Sequence, residues 1–410
     1  MKKRNLGKLG NVVKVKDLLD QEKQWSNDKF DLLVSVSNIK AVHDGKRLLL
    51  QIKGEQHPKS SFIFGNGFQT ECEGEFPITE LAVSQMVAKF NTLLKKATNV
   101  NGNSQYFRYQ YFALCSLKSQ VTQLNEIIRM FLDKVEDKDF TLRFNKINGE
   151  DTIRAVLSKE YGIMNNIDIL KTIIDLRGNI DILNPLHSEN FLHFNLISVE
   201  EIDGFLPGMH GGNSEVASGF FDIDYYILDS KTGNGYFAPM DDFEKLFHQI
   251  HRFVNWREVE PVFQKAIKAY DNEKAKEIIK NLLSTMQEPI DHDVEKVMEA
   301  VRNKFSVISK SITETAQHKV KLYAHNGVFT LYALIASLSE AARTKGEENR
   351  FEIEMAISKL MSLQKITTHD DEVITLRHGD TNNKKVKIPK SVVSVKRRTS
   401  GQASLFSSVS

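Results

Sequence analysis

The chain has 410 residues, of which 41% are hydrophobic and 26% charged, and its formal net charge is +2. This composition is typical of a folded protein of two or three domains and excludes a fibrous or wholly disordered chain. No apolar run approaches the roughly 20 residues of a membrane span, and the basic start of the chain has no apolar signal core. We therefore expect a cytoplasmic protein without membrane contact. Cys72 and Cys115 are far apart and predict neither a disulfide framework nor a zinc site.

The first segment, residues 1–139, is predicted to mix strands and helices. Two strands are expected over 47–53 and 61–64. Thr79 is placed to cap a helix over 76–94, because its hydroxyl can accept a hydrogen bond from the free amides of the first turn. Apolar residues at three- and four-residue steps predict a second helix over 113–135.

The second segment, residues 140–239, is predicted to be an antiparallel sheet. Strands are expected over 152–158, 191–199 and 220–228, the first of them half-buried because its apolar residues alternate with polar ones. Asn165 is predicted to cap a short helix, with Asp168 favouring the positive end of the helix dipole. The run DSKTGNG (229–235) supplies the Gly and Asn that a tight hairpin turn needs.

The third segment, residues 240–376, has helical periodicity throughout. Helices are predicted over 240–254, 258–270, 272–285, 291–319, 330–344 and 352–363. The predicted class is therefore α+β: a central, mostly antiparallel sheet with flanking helices, then a largely helical C-terminal half and a disordered basic tail at 377–410.

The basic residues are concentrated at the end of the chain. From Arg377 onward eight Lys or Arg stand against one Asp, so this segment is +7 and the rest of the chain is −5. Such a tail, including Lys396, Arg397 and Arg398, can neutralise phosphates in a salt-dependent way that ignores sequence. A solubilising terminus with no partner is the equal alternative.

Motifs of common enzymes are absent from the sequence. There is no GxxxxGK[ST] or GxGxxG phosphate loop, which argues against an ATP-driven recombinase or helicase, and no GxSxG or HExxH. Asp222 and Asp224 lie two apart on a predicted strand and could hold Mg²⁺ or Mn²⁺ with Glu215 or Asp229. A solvent-facing strand edge is the favoured interpretation of this pair.

Two further sets of polar residues are weak candidates for ligand binding. His187, Glu189 and His193 have a spacing that matches no familiar metal site. In GMHGGNSEV (208–216), the residues Asn213 to Glu215 either bind a ligand or shape the entry of a strand, and the second is favoured. We predict no cofactor.

Two sets of residues are candidate nucleic-acid contacts. The run QYFRYQYF (105–112) supplies aromatic faces and a cation, represented by Tyr106, Arg108 and Tyr109, on which unpaired bases could stack. The alternative is the buried entry of the helix that follows. A basic stripe across the sheet is predicted from Arg143, Lys146, Arg154 and Lys159, with a charged rim as the alternative.

Three motifs occur in the order FPITELAVSQM (76–86), IRAVLSKEYGIMNN (153–166) and GGNSEV (211–216). In these the chain resembles the phage- and plasmid-borne proteins of domain-of-unknown-function family 932, and HNGVFTLYALIASLSEAA (325–342) is similar to the family's late helix. Relatives commonly have a Cys-Thr-Asn-Gly turn where this chain has Thr232-Gly233-Asn234-Gly235, so the resemblance implies no thiol chemistry here. It implies a mobile-element origin and proximity to DNA metabolism, and it supplies no catalytic residue.

The sequence thus predicts a non-enzymatic nucleic-acid-binding protein of a phage or plasmid. A homo-oligomeric single-stranded DNA binding or annealing factor in recombination or replication fits these features best. Two alternatives stay open: a metal-dependent enzyme acting on nucleic acid through Asp222 and Asp224, and a self-assembling structural or host-interaction protein.

Overall fold

The computed structural model describes residues 6–57, 71–98, 114–188, 190–216, 220–238, 246–252, 254–324, 326–343 and 347–377. The strands in these ranges are β1 (Val12–Lys14), β2 (Phe30–Ser35), β3 (Ile39–His43), β4 (Leu48–Gln56), β5 (Glu71–Pro77), β6 (Asp139–Ile147), β7 (Glu150–Ser158), β8 (Asp181–His187), β9 (Phe191–Ile197), β10 (Phe205–Ser214), β11 (Phe221–Asp229), β12 (Gly235–Phe237), β13 (Phe247–Gln249), β14 (Lys365–Thr367) and β15 (Val373–Thr375). The helices are α1 (Val15–Ser26), α2 (Glu80–Thr98), α3 (Leu117–Lys134), α4 (Asn166–Arg177), α5 (Trp256–Lys268), α6 (Asn272–Ser284), α7 (Val294–Lys304), α8 (Lys310–Tyr323), α9 (Leu331–Arg343) and α10 (Glu347–Lys359). The predicted α+β class is confirmed.

The first sheet is antiparallel and curls back on itself. Strand β4 pairs with β3, β2 and β5, β2 pairs with β6, and β6 pairs with β7. Ile78, just after β5, forms a bridge with Ile153 of β7, which brings the two ends of the sheet together. Because β6 pairs with β2, this sheet crosses the predicted segment boundary at residue 139.

Helices α2 and α3 pack on the first sheet and share its core. The Thr79 hydroxyl accepts a hydrogen bond from the Ala82 amide at 3.2 Å, as predicted for the cap of α2. Ser116 caps α3 by accepting from the Ser119 amide. The apolar residues whose spacing predicted α3 point inward, including Leu124, Ile128 and Phe131.

The hairpin of β6 and β7 turns at Asn148 and Gly149, both with positive φ, as a two-residue primed turn requires. Strand β7 is buried on both faces from Thr152 to Leu157, so the prediction of a half-buried strand is wrong. Its polar residue Arg154 faces protein rather than water.

The second sheet has the strand order β1-β8-β9-β10-β11-β12, with β13 also paired to β11, and each of these pairs is antiparallel. Strand β10 is central and buried along its whole length. The predicted strand entry at Gly211 to Ser214 is therefore the last part of a strand. Odd-numbered residues of β11, such as Ile223 and Ile227, face a large core shared with α1 and with helices α4 to α10.

Even-numbered residues of β11 face the opposite side of the second sheet. Tyr226 and Leu228 lie there in a smaller core with Phe237 and with Phe351 of α10. The Tyr226 hydroxyl lies 3.2 Å from a Glu354 carboxylate oxygen, so polar and apolar contacts together hold α10 against this side.

The turn between β11 and β12 is tight, as the DSKTGNG run predicts. Gly233 has φ of +73°, and the Asp229 carboxylate accepts from the amides of Lys231 and Thr232. The Asn234 side chain donates to the Ala336 carbonyl at 3.3 Å and contacts the Tyr323 hydroxyl at 3.0 Å. The turn is thus attached to α8 and α9.

Several predicted helices differ from the structure. The described part of the helix predicted over 240–254 contains strand β13 instead, because its residues pair with β11. The helix predicted over 291–319 is two helices, α7 and α8, and the turn between them is anchored by buried Ile308. The hairpin of β14 and β15 was not predicted, since three-residue strands carry no usable periodicity.

The strand predicted over 61–64 and the predicted tail, apart from Arg377, lie outside the described residues. Within the described ranges, no helix is long and apolar enough to cross a membrane.

We expect Asn255→Ala to lower the free energy of unfolding by about 1 kcal/mol. Asn255 caps α5: its side chain accepts from the Glu258 amide at 3.2 Å, and the Glu258 carboxylate accepts from the Asn255 amide at 3.3 Å. Urea denaturation measures the change, with Asn303→Ala at an exposed position as control. Equal stability of the two variants would contradict this role.

Candidate functional site

Two of the three motifs, IRAVLSKEYGIMNN and GGNSEV, meet in a buried ionic cluster between the two sheets. Glu215, which follows β10, is at its centre. The Glu215 carboxylate accepts hydrogen bonds from Lys29 at 3.0 Å, from Arg154 at 2.7 Å and from the Asn166 amide at 2.8 Å. We call the following residues the Glu215 cluster: Glu22, Lys29, Asp31, Arg143, Arg154 and Glu215. None of them is more than 2% exposed.

Arg143 joins the first sheet to the residues that follow β10. Its guanidinium donates to both carboxylate oxygens of Asp31, at 2.8 and 2.9 Å, across the β2–β6 pair. A third nitrogen–oxygen contact, of 2.9 Å, reaches the Glu215 carbonyl. The planar guanidinium suits this arrangement because it donates in several fixed directions at once.

Helix α1 completes the cluster. Lys29 also donates to the Glu22 carboxylate, and the second oxygen of Glu22 lies 2.8 Å from His187 Nε2. The cluster therefore contains three cations and three carboxylates, apart from His187. Burial of so many charges is tolerated only where each has a close partner of opposite sign.

The start of α4 depends on Glu215 rather than on Asn165. Asn165 is the N-cap residue, as predicted, but its side chain makes no capping hydrogen bond. Its oxygen instead accepts from Arg143 at 3.3 Å, and Glu215 accepts from the first free amide of the helix. Burial alone would raise the pKa of Glu215, but the charges of Lys29, Arg154 and Arg143 hold this pKa well below its usual value.

The remaining motif, FPITELAVSQM, lies at the start of helix α2 and contacts the other two motifs through Gln85. Its amide nitrogen donates to the Val216 carbonyl at 2.5 Å, and its oxygen accepts from the Val156 amide at 2.9 Å. The motif residues thus form a junction between α2, the first sheet and the second sheet. Because the Glu215 carboxylate is occupied by these donors, it is not available to hold a metal with Asp222.

We expect Glu215→Gln to lower the free energy of unfolding by about 3 to 5 kcal/mol, because it leaves buried cations without a counter-charge. Urea denaturation at neutral pH is the measurement. Glu200→Gln, at an exposed position, is the matched control and should change stability by less than about 0.5 kcal/mol.

The same substitution predicts a pH dependence. Since the pKa of Glu215 is lowered in the folded state, its stabilising effect is complete above the ordinary Glu pKa and is lost as pH falls through the folded-state value. The difference in unfolding free energy between Glu215→Gln and Glu200→Gln should therefore be constant above about pH 5. A difference that grows from pH 5 to pH 8 would contradict the pairing.

A second polar group lies on one face of the second sheet. His193, Gly212, Asp222 and His248 are direct neighbours across β9, β10, β11 and β13. The adjacent row on the same face contains Asn195, His210 and Asp224. Three imidazoles and two carboxylates therefore share this face, since opposite residues of paired strands point the same way. We call them the histidine face.

Asp222 and His248 form the part of the histidine face that solvent reaches. The distance between Asp222 Oδ1 and His248 Nδ1 is 2.5 Å, and their side chains are 18% and 34% exposed. A carboxylate at Nδ1 orients the ring and directs Nε2 away from it. An imidazole held in this way is placed to accept or donate a proton at its Nε2 atom. The exposed Phe220 ring lies 5.0 Å from the imidazole.

The other two imidazoles are hydrogen-bonded to each other. His210 Nε2 lies 3.3 Å from His193 Nδ1, and His210 Nδ1 lies 2.8 Å from the Asn195 side-chain oxygen. A Cβ at Gly212 would lie 2.9 Å from His193 Nδ1, so the glycine makes room for this ring. Burial lowers the pKa of His193 to about 4.

The structure does not assemble the metal sites considered from sequence. Among the described residues, no three His, Cys, Asp or Glu side chains are placed to hold a cation. Strand β11 is paired on both sides, so Asp222 and Asp224 do not lie on the predicted edge. His187 contacts Glu22 of the Glu215 cluster, His193 belongs to the histidine face, and Glu189 lies outside the described residues.

Only two of the predicted nucleic-acid contacts are both described and accessible. Arg143 and Arg154 are buried in the Glu215 cluster, so the predicted basic stripe does not form. They are directed inward because β6 and β7 are covered on both faces. Lys146 and Lys159 are exposed, and Lys159 contacts Asp139 at 2.7 Å. Tyr106, Arg108, Tyr109, Lys396, Arg397 and Arg398 lie outside the described residues.

The Glu215 cluster had a signal in the sequence that was missed. Asp31, Arg143 and Arg154 each stand inside a short apolar strand, in FDLLVS, TLRFN and TIRAVLS. A strand rich in apolar residues is often buried on both faces, and a charge within it then needs an internal partner. Which charges pair could not be read from the sequence, since the partners are up to 186 residues apart.

No protein-family model, curated protein or solved structure matches this chain. The resemblance to domain-of-unknown-function family 932 therefore stays a prediction. The function has to be inferred from the residues of the chain itself.

We expect the free energy of unfolding to decrease at acid pH, partly because buried His251 becomes protonated. The Nδ1 atom of His251 donates to the Gly162 carbonyl at 3.2 Å. Burial lowers the pKa of this imidazole to about 3. A lowered His pKa gives stability that is complete above the unfolded value near 6.5 and is lost as pH falls toward the folded value, by about 1.4 kcal/mol per pH unit. His251→Gln should flatten the pH dependence between pH 6.5 and 4 by about this slope.

The control for this prediction is His43→Gln, because His43 is exposed. Equilibrium denaturation at a series of pH values measures both slopes. If the two variants keep the slope of the original chain, the buried His251 is not the source of the acid sensitivity.

Proposed function

We propose that this protein binds single-stranded nucleic acid, without sequence preference, through its basic C-terminal segment. The observation that carries the proposal is the separation of charge along the chain. Residues 378–410 carry +6, and residues 1–377 carry −4. A polyanion is attracted to the first and repelled by the second, so contact concentrates on the segment.

The structure supports this proposal by fixing the residues that directly precede the basic segment. Leu376 is fully buried. The Arg377 guanidinium donates to the Asn281 side chain at 2.8 Å and lies 3.3 Å from the Ser284 hydroxyl, both in the last turn of α6. The residue that precedes the segment is therefore fixed to α6. Attachment at a fixed residue would give the contacts of the segment a high effective concentration at any other binding surface.

The proposed mechanism differs from the one that the sequence favoured. Arg143 and Arg154 hold the two sheets together and take no part in it. Lys146 remains as an exposed accessory cation, whereas exposed Lys159 is paired with Asp139. The same proposal, supported by the three motifs, includes DNA as the substrate and a phage or plasmid origin. It also includes a place in the host cytoplasm and a role in recombination or replication. Assembly into a homo-oligomer would present several arms to one strand.

Fluorescence anisotropy with a labelled single-stranded oligonucleotide tests the proposal. The full chain is compared with a chain ending at Arg377, which keeps buried Leu376 and the bonds of Arg377. If the seven cations beyond Arg377 all contact phosphates, affinity should fall with salt with a logarithmic slope of about −5. The shortened chain should bind at least tenfold more weakly, with a shallower slope.

A charge-matched pair of variants separates the segment from total charge. Lys396→Gln/Arg397→Gln/Arg398→Gln removes three cations from the segment, and Lys268→Gln/Lys304→Gln/Lys321→Gln removes three exposed ones from α5, α7 and α8. Only the first triple variant should lose affinity. Binding that ignores salt, or equal binding by both triple variants, would refute the proposal.

A further inference from the structure

A second region of the chain combines positive charge with a lack of acid. Between Glu80 and Glu126 there are 45 residues without a single Asp or Glu. The same stretch contains five cations, namely Lys89, Lys95, Lys96, Arg108 and Lys118. It covers α2, the connection that follows it and the first half of α3. Residues 1–16 also lack Asp and Glu and contain six cations, and the longest acid-free stretch elsewhere in the body is 315–339, with Lys319 and Lys321.

The lysines at the two helix ends are accessible. Lys95 and Lys96 lie in the last turns of α2, Lys118 lies in the first turn of α3, and all three are exposed. None of the three forms an ion pair with the described part of the chain. Other exposed lysines, such as Lys268, Lys304 and Lys321, also form no ion pair with the described residues. Positive charge at the helix ends is therefore not neutralised locally.

Helix α2 runs in the same direction as β7. The Thr79 amide, just before the helix, donates to the Ile153 carbonyl at 2.9 Å. Gln85, about two turns further on, accepts from the Val156 amide. Helix α2 and strand β7 therefore run parallel to each other.

Helix α3 runs against β2 and β3. Asn125, near its middle, exchanges hydrogen bonds with the Ala41 backbone at 2.8 and 2.9 Å. Asp137, just after the helix, accepts from the side chains of Ser35 and Ser37. Helix α3 is therefore antiparallel to these two strands.

The two helices are therefore antiparallel, because β7 and β2 are both antiparallel to β6 and so share a direction. Phe90 of α2 packs on Phe131 of α3 with ring centroids 5.0 Å apart. Beyond this contact, Leu94 and Leu124 enter the same core. The last turns of α2 and the first turns of α3 consequently lie at one end of the helix pair, which we call the α2–α3 end.

The two helix termini at the α2–α3 end carry opposite partial charges, and Lys95 and Lys96 stand over the negative one, in the last turn of α2. The first turn of a helix carries partial positive charge, which an acidic residue usually offsets. The first turn of α3 has no acidic residue and contains Lys118. Leu114, three residues before the helix, is 87% exposed and adds an accessible apolar surface.

We propose that the α2–α3 end, through Lys95, Lys96 and Lys118, is a second binding surface for the phosphodiester backbone of a single-stranded nucleic acid. This inference rests on the proposed function and names a surface of the folded body for it. A single strand is the occupant because its bases can turn toward apolar Leu114 while its phosphates meet the lysines. The C-terminal segment and this surface would then bind one strand together.

The experiment compares Lys95→Gln/Lys96→Gln/Lys118→Gln with the control Lys268→Gln/Lys304→Gln/Lys321→Gln, in the full chain and in the chain ending at Arg377. Anisotropy is measured over a range of salt concentrations, and circular dichroism checks the fold. Loss of three phosphate contacts should make the logarithmic salt slope shallower by about 2 and weaken binding tenfold or more at low salt. The control should match the original chain.

Each other outcome has a definite meaning. If the full chain binds and the first triple variant equals the control, the α2–α3 end is not a binding surface, and the proposed function stands. If the full chain does not bind at low salt, both proposals fail. Poly-glutamate that competes as well as the oligonucleotide would show that the surface accepts any polyanion and would overturn the assignment to nucleic acid.

Discussion

The structure depends on the charge of Glu215 between its two sheets. This one carboxylate neutralises Lys29 and Arg154, and its residue's carbonyl accepts from Arg143. It also accepts from the first amide of α4. Because each partner comes from a different element, the sheets can meet only in the arrangement that satisfies all of them. Apolar packing alone would leave their relative position less well defined.

This junction changes which cations can reach a ligand. Arg143 and Arg154 are both buried and directed inward. The exposed lysines of the α2–α3 end, and the cations beyond Arg377, lie in stretches of sequence with at most one acidic residue. The acidic remainder of the body limits where a polyanion can approach.

Strand β10 separates the two polar groups of the second sheet. Glu215, just beyond its end, faces the first sheet through its cluster. His210 lies on the histidine face with Asp222 and His248 on the neighbouring strands. Most of the histidine face is buried, and the Asp222–His248 pair is its accessible part. A strand with alternating sides can serve both groups because successive side chains point in opposite directions.

The sequence by itself determined the α+β class, the helix cap at Thr79 and the tight turn at TGNG. It also determined the approximate positions of α2, α3, α5 and α6, because these features follow from local periodicity and turn chemistry. It could not determine that Arg154 is buried, that 247–249 is a strand, or that His210 and Asp222 share a face. Those features depend on pairing between distant segments. Only the tertiary structure decides which face of a strand meets another layer, and therefore which charges are neutralised inside and which remain for a partner.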